Sequence, residues 1–171
     1  MMEKILVTGG IAAGKSAVCR YLASKGYPVY DSDSRTKSLY ETVPALKGRI
    51  EASLGIPFSE LSVIFKDKEK RGTLESIVHP LVLEDFEKWC AQQTSEKVFF
   101  ESAIALQSPV FKGVFDKVVL VKAPLEQRLE RNAKTSERAS LQAIDESLSD
   151  IIIVNDSDFN SLYEKIDNTI L

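Results

Sequence analysis

The sequence predicts a three-layer α/β fold built on a parallel sheet, and three features carry that prediction. Five short apolar runs recur along the chain, helical patterns alternate with them, and a glycine-rich turn joins the first run to the first helix. The runs are Ile5–Thr8, Pro28–Tyr30, Val98–Glu101, Lys117–Val121 and Ile151–Val154. They are rich in β-branched and aromatic residues, and the last three lack polar alternation. That pattern is expected of parallel strands covered on both faces and joined by right-handed crossovers.

The helices follow in order. Ser16–Lys25 ends at Gly26, a residue suited to a left-handed C-terminal cap. Leu46, Ile50 and Leu54 share one face after Pro44, before Gly55 and Pro57 interrupt the pattern. The run Lys66–Arg71 is charged and expected to be solvated. Val82, Phe86 and Trp89 fall on one face of a helix that has Pro80 in its first turn, where proline is tolerated. Pro124 opens Leu125–Arg131, and Phe159, Leu162, Tyr163, Ile166 and Ile170 keep helical spacing to the end. Residues 34–97 hold helix signals but no convincing strand. They read as a helical insertion beside the carboxyl edge of the sheet, where open α/β sheets bind ligands. The whole chain, 1–171, is read as one domain carrying that insertion.

Composition narrows the function classes. Of 171 residues, 44% are hydrophobic and 27% charged, with 22 Lys+Arg against 25 Asp+Glu. That excludes disordered and collagen-like chains. The net charge of −3 argues against a duplex nucleic-acid partner, which would require a basic surface. Cys19 and Cys90 have no metal-ligand or C-x-x-C spacing and read as reduced thiols of a cytosolic protein. No run has the roughly 20 apolar residues of a membrane span. A cytoplasmic protein without a membrane partner is expected. Its oligomeric state is not legible.

The strongest chemical signal is Gly9-Gly10-Ile11-Ala12-Ala13-Gly14-Lys15-Ser16, which fits G-x-x-x-x-G-K-[ST] between a strand and a helix. Glycines let successive backbone N–H groups curl around a phosphate, and the helix N-terminus adds positive potential. Lys15 would bridge the β- and γ-phosphates, and Ser16 would offer its hydroxyl to Mg²⁺. The site is that of a P-loop nucleoside triphosphate-binding fold, with a nucleoside triphosphate and Mg²⁺ as the expected ligands.

A phosphate loop serves hydrolases, switches and kinases alike. Asp31-Ser32-Asp33 follows the second strand, and in an extended chain both carboxylates would face one cleft, as general base and as metal-water or sugar ligand. Either could instead cap the next helix. Glu101 ends the third strand beside the phosphate-loop strand, as a metal-supporting carboxylate or as an ordinary polar strand end. Arg128, Arg131 and Arg138 read together as a small lid over the triphosphate, within 128–142. His79, the only histidine, is a packing residue or a chemical one.

In order along the chain, Thr8-Gly9-Gly10-Ile11 leading into Gly14-Lys15-Ser16, Asp31-Ser32-Asp33, Leu74–Pro80, Glu101-Ser102-Ala103-Ile104 and Asp150–Asn155 resemble the dephospho-coenzyme A kinases. The resemblance implies a five-stranded phosphate-loop core with a helical substrate domain and a lid. It implies ATP- and Mg²⁺-dependent phosphorylation of the ribose 3′-hydroxyl of dephospho-coenzyme A. Carried over, Asp33 matches the general base, with Lys15 and Arg138 also catalytic. Gly10, Ile11, Ala12, Ala13, Gly14, Lys15, Ser16, Ala17 and Arg131 match the nucleotide site. From position and residue type, Ser16 and Glu101 are the candidate metal ligands and Asp31, Asp33 and His79 the candidates on the acceptor side; on the resemblance, Gln142 matches the end of the lid and Asn155 a position near the adenine. The sequence departs from the family in Ala12-Ala13 for Gly-Ser, in Ala17 for a hydroxyl residue and in Leu106-Gln107 for Phe-Glu. Its lid is shorter by about two helical turns. The alternatives are a kinase for another nucleoside or small alcohol, and a nucleotide-binding module without catalysis.

Overall fold

Each apolar run forms a strand where its side chains can leave water on the sheet. The computed structural model describes residues 1–10, 12–131 and 145–171. The strands are β1 (Glu3–Thr8), β2 (Val29–Asp31), β3 (Lys97–Glu101), β4 (Lys117–Lys122) and β5 (Ile151–Val154). They form one sheet of order β2-β3-β1-β4-β5, and every pairing is parallel. Placing β1 between β3 and β4 requires the crossovers that the strand–helix alternation predicts.

The helices are α1 (Lys15–Ser24), α2 (Ser32–Thr42), α3 (Leu46–Leu54), α4 (Lys68–Ala91), α5 (Leu125–Arg131) and α6 (Phe159–Thr169). The chain divides into two compact units, one of residues 1–31 with 93–171 and one of residues 32–92. In the first unit, Ile5 and Val7 of β1, Phe99, Val119, Val121 and Ile153 pack with Val18 and Leu22 of α1 and Leu162 and Ile166 of α6. Gly26 closes α1 at φ +91, its N–H donating to the Ala23 carbonyl. β5 departs from the expectation of strands covered on both faces. Ile153 is buried, whereas Ile152 and Val154 are 45% and 40% exposed, because β5 is the edge strand. Phe159, expected to share the helical face of Leu162 and Ile166, is 60% exposed.

The second unit is helical. Leu46, Ile50 and Leu54 are all buried on α3, as their spacing predicts. Arg35 of α2 reaches Asp85 of α4 with two N–H···O bonds of 2.8 and 2.9 Å. Two readings need correction. Pro80 does not open a helix but lies inside α4. Val78, Val82, Phe86 and Cys90 form a buried stripe through that point, and burying it outweighs the roughly 3 kcal/mol cost of an interior proline. The other concerns the charged run 66–71, which is exposed at 66–69 as expected but is also structured, because the Asp67 carboxylate accepts the Lys70 N–H at 3.0 Å and caps α4. Among the described residues no helix is long and apolar enough to cross a membrane.

Candidate active site

Because all five strands run the same way, their carboxyl ends lie along one edge of the sheet. Gly9 and the phosphate loop follow β1 there. Asp31 ends β2, Glu101 ends β3, and Asn155 follows β5. Val7 of β1 lies opposite Glu101, which lies opposite Asp31 of β2. The register thus brings two carboxylates and the loop to adjacent strand ends.

Local sequence dictates the shape of the loop. A Cβ on Gly9 would come within 2.5 Å of the Val121 carbonyl, so only glycine lets β1 leave the sheet against β4. Ala12 and Gly14 are both left-handed, at φ +59 and +109. Ala13 N–H donates to the Gly10 carbonyl at 3.2 Å and closes the turn. Among the described residues no side chain caps the start of α1, so its first N–H groups have the arrangement that suits an anion. Gly14, Lys15, Ser16, Ala17, Arg20 and Asn155 line a cavity of ≈ 550 Å³ beside the loop.

Ser16 Oγ donates to Glu101 Oε1 at 3.0 Å. A hydroxyl and a carboxylate meeting at the start of α1 form an oxygen pair suited to Mg²⁺, which takes few protein ligands and completes its shell with phosphates and water. Among the described residues no group of three or more His, Cys, Asp or Glu side chains is placed to hold a metal alone. Cys19, one turn after Ser16 on the same helix, is buried near the Glu101 carboxylate. Burial pushes the thiol far above its usual range, and the Glu101 charge adds to the shift, so Cys19 stays protonated.

Asp31 and Asp33 do not share an extended run. β2 ends at Asp31 and α2 begins at Ser32, so Asp33 stands in the first turn of a helix. At about 100° per residue, positions two apart leave a helix in different directions. The extended-chain argument for two cofacial carboxylates therefore fails, although both remain exposed. His79 is buried in α4, and that burial lowers its pKa to about 4, so it is neutral near pH 7. Ile11, Arg138 and Gln142 lie outside the described residues, as does the side chain of Arg131. Arg128 emerges from the structure: its guanidinium packs so closely on Gly10 that a Cβ there would overlap it. The sequence names Arg128 only as one of three lid arginines. The signal that separates it is the bare Cα of Gly10, which no local pattern links to residue 128.

A parallel five-stranded sheet with a glycine loop, lysine and serine between β1 and α1 defines the class of phosphate-loop nucleotide-binding proteins. The family model for dephospho-CoA kinase matches residues 4–55 and 60–159, and the chain belongs to the dephospho-CoA kinase family. A dephospho-CoA kinase of Porphyromonas gingivalis is 36% identical over 139 residues, covering 76% of this chain and 68% of that one. One of Fusobacterium nucleatum is 30% identical over 181 residues, covering 94% and 93%. Among solved structures, a Thermus thermophilus protein superposes with a TM-score of 0.82 at 24% identity, over 99% of this chain and 96% of that one. At that identity the likeness speaks for the fold.

Proposed function

We propose that the chain transfers the γ-phosphoryl group of ATP to the ribose 3′-hydroxyl of dephospho-coenzyme A, giving coenzyme A and ADP. The observation that carries this reading is the loop from Gly9 to Ser16, closed onto Glu101, in a chain matched along most of its length by one kinase family. Backbone N–H groups of the loop and the Lys15 ammonium hold the triphosphate. Ser16 and Glu101 would hold Mg²⁺, which would supply positive charge against the triphosphate. Asp33 orients the 3′-hydroxyl and takes its proton as the oxygen attacks phosphorus. Arg128 and, on the resemblance alone, Arg138 balance charge on the transferring group. The unit formed by residues 32–92, which carries Asp33 and His79, holds the acceptor; the lid expected at 128–142 lies mostly outside the described residues. Cys19 and Cys90, both buried as thiols, support a reducing, cytoplasmic setting.

The test is ADP release with dephospho-coenzyme A set beside shikimate and simple nucleosides as acceptors. Turnover with dephospho-coenzyme A alone is expected. Turnover only with another alcohol, or nucleotide binding without transfer to any of them, would reject the assignment. Asp33→Asn should lower kcat about 10²–10⁴-fold while the Kd for ATP, read by calorimetry, changes little. Near wild-type turnover in that variant removes Asp33 from the role of base.

A further inference from the structure

We propose that Asn155 is a positioning residue for the phosphate loop: its side chain fixes the peptide plane that aims the Gly14 N–H at the bound phosphates. Asn155 is buried, and its Nδ2 donates to the Ala13 carbonyl at 3.1 Å. A carbonyl oxygen only accepts, so the amide nitrogen, not the oxygen, must face it. The peptide unit joining Ala13 to Gly14 is planar and trans, so its N–H points opposite to its C=O. Holding the Ala13 oxygen toward Asn155 turns the Gly14 N–H away from Asn155. That N–H lies in the part of the loop where inward amides cradle phosphate.

The contact is built from both sides. A Cβ on Gly14 would overlap Asn155 Nδ2 and lie 3.3 Å from its Cγ, so the strut reaches the loop only because residue 14 is glycine. The far end of the strut is tied down as well. Asn155 N–H donates to the Lys122 carbonyl at the end of β4, at 2.6 Å. On either side, Lys165 Nζ donates to the Val154 carbonyl at 2.6 Å and to Asp156 Oδ1 at 3.3 Å. The segment after β5 is a bracket fixed to β4 and α6, and Asn155 transmits its rigidity to a loop whose own backbone sits in the left-handed region at Ala12 and Gly14. This assignment gives Asn155 a role in holding the loop, distinct from the adenine contact that the family resemblance implies.

The inference rests on the loop's reading as a polyphosphate site, and the test separates the two. Calorimetry of the full chain with Mg–ATP and with inorganic tripolyphosphate compares wild type, Asn155→Ala and Asn155→Leu. The leucine variant keeps the side-chain volume, so it stays informative where the alanine variant folds poorly. Loss of the strut should weaken both ligands by the same factor, about tenfold for one lost hydrogen bond in a buried site. In turnover assays the KM for ATP should rise by a similar factor, with kcat held within about threefold, because the lost interaction acts on bound substrate and transition state alike. Weakened ATP binding with tripolyphosphate binding unchanged would make Asn155 a nucleoside contact and overturn the proposal. Unchanged affinity for both ligands would overturn it too. A wild-type chain that binds neither ligand rejects the polyphosphate reading itself, and the strut with it.

Discussion

Arg128 packs its guanidinium on Gly10, where it adds positive charge to a loop whose own cation is Lys15. A preorganised cation at the transferring group is worth more in the transition state than in the bound substrate, because charge shifts as the bond to phosphorus breaks. Arg128→Ala is therefore expected to lower kcat about 10²–10³-fold, with a smaller rise in the KM for ATP. Arg128→Lys should restore only part of the loss, because an ammonium lacks the planar fork. A rise in the KM for ATP with kcat unchanged would reduce Arg128 to a binding residue. Cys19 makes a second residue-scale case. Its buried thiol is held protonated by burial and by Glu101, and Cys90 is buried too. Neither should react with iodoacetamide near neutral pH until the chain unfolds, as followed by mass spectrometry. At this scale Lys15, Ser16 and Glu101 are legible in the sequence because a local motif and a strand end mark them. Arg128 against Gly10 and Asn155 against Gly14 are not, since each joins a glycine to a residue far along the chain through tertiary packing alone.

Elements are legible where apolar periodicity is long or sharply bounded. All five strands and the α3 face fall where the pattern puts them. Local rules fail where they meet burial or an early helix start. Asp33 looks extended in sequence although α2 begins at Ser32, and Pro80 looks like a helix start although the buried stripe of α4 runs through it. His79 sits on that stripe, and its buried imidazole has a pKa of about 4 against an ordinary 6.5. The unfolded chain therefore takes up the proton first on acidification. The stability contributed by neutral His79 is complete above pH 6.5 and is lost progressively as pH falls toward 4, by up to about 3 kcal/mol. Glu75, one turn earlier, is shifted upward by burial and opposes the trend. Urea midpoints of wild type and His79→Gln isolate the histidine term: the variant should lose much of the slope between pH 6.5 and 4. An unchanged slope would mean that His79 is equally solvated in both states.

At the scale of the whole molecule, the described residues proposed for the nucleotide site and the helices from α2 to α4 belong to different units of one chain. The phosphate loop, Glu101, Arg128 and Asn155 lie in the unit of residues 1–31 and 93–171, while Asp33 and His79 lie in the unit of residues 32–92. If the first unit alone holds the donor, a defect in the core of the second should leave ATP binding intact, because independent sites add rather than couple. Ile50, fully buried on α3, provides that defect. Ile50→Ala removes packed methyl groups and leaves a cavity, at a cost of about 2–5 kcal/mol. The expected outcome is a lower urea midpoint and a reduced kcat/KM for the acceptor. The Kd for Mg–ATP, measured well below the melting transition, should stay within about twofold of wild type, because contacts at separate sites rarely couple by more than about 0.5 kcal/mol. A matching loss of ATP affinity would show that the helical unit also shapes the nucleotide site, and the assignment of donor and acceptor to separate units would have to be abandoned.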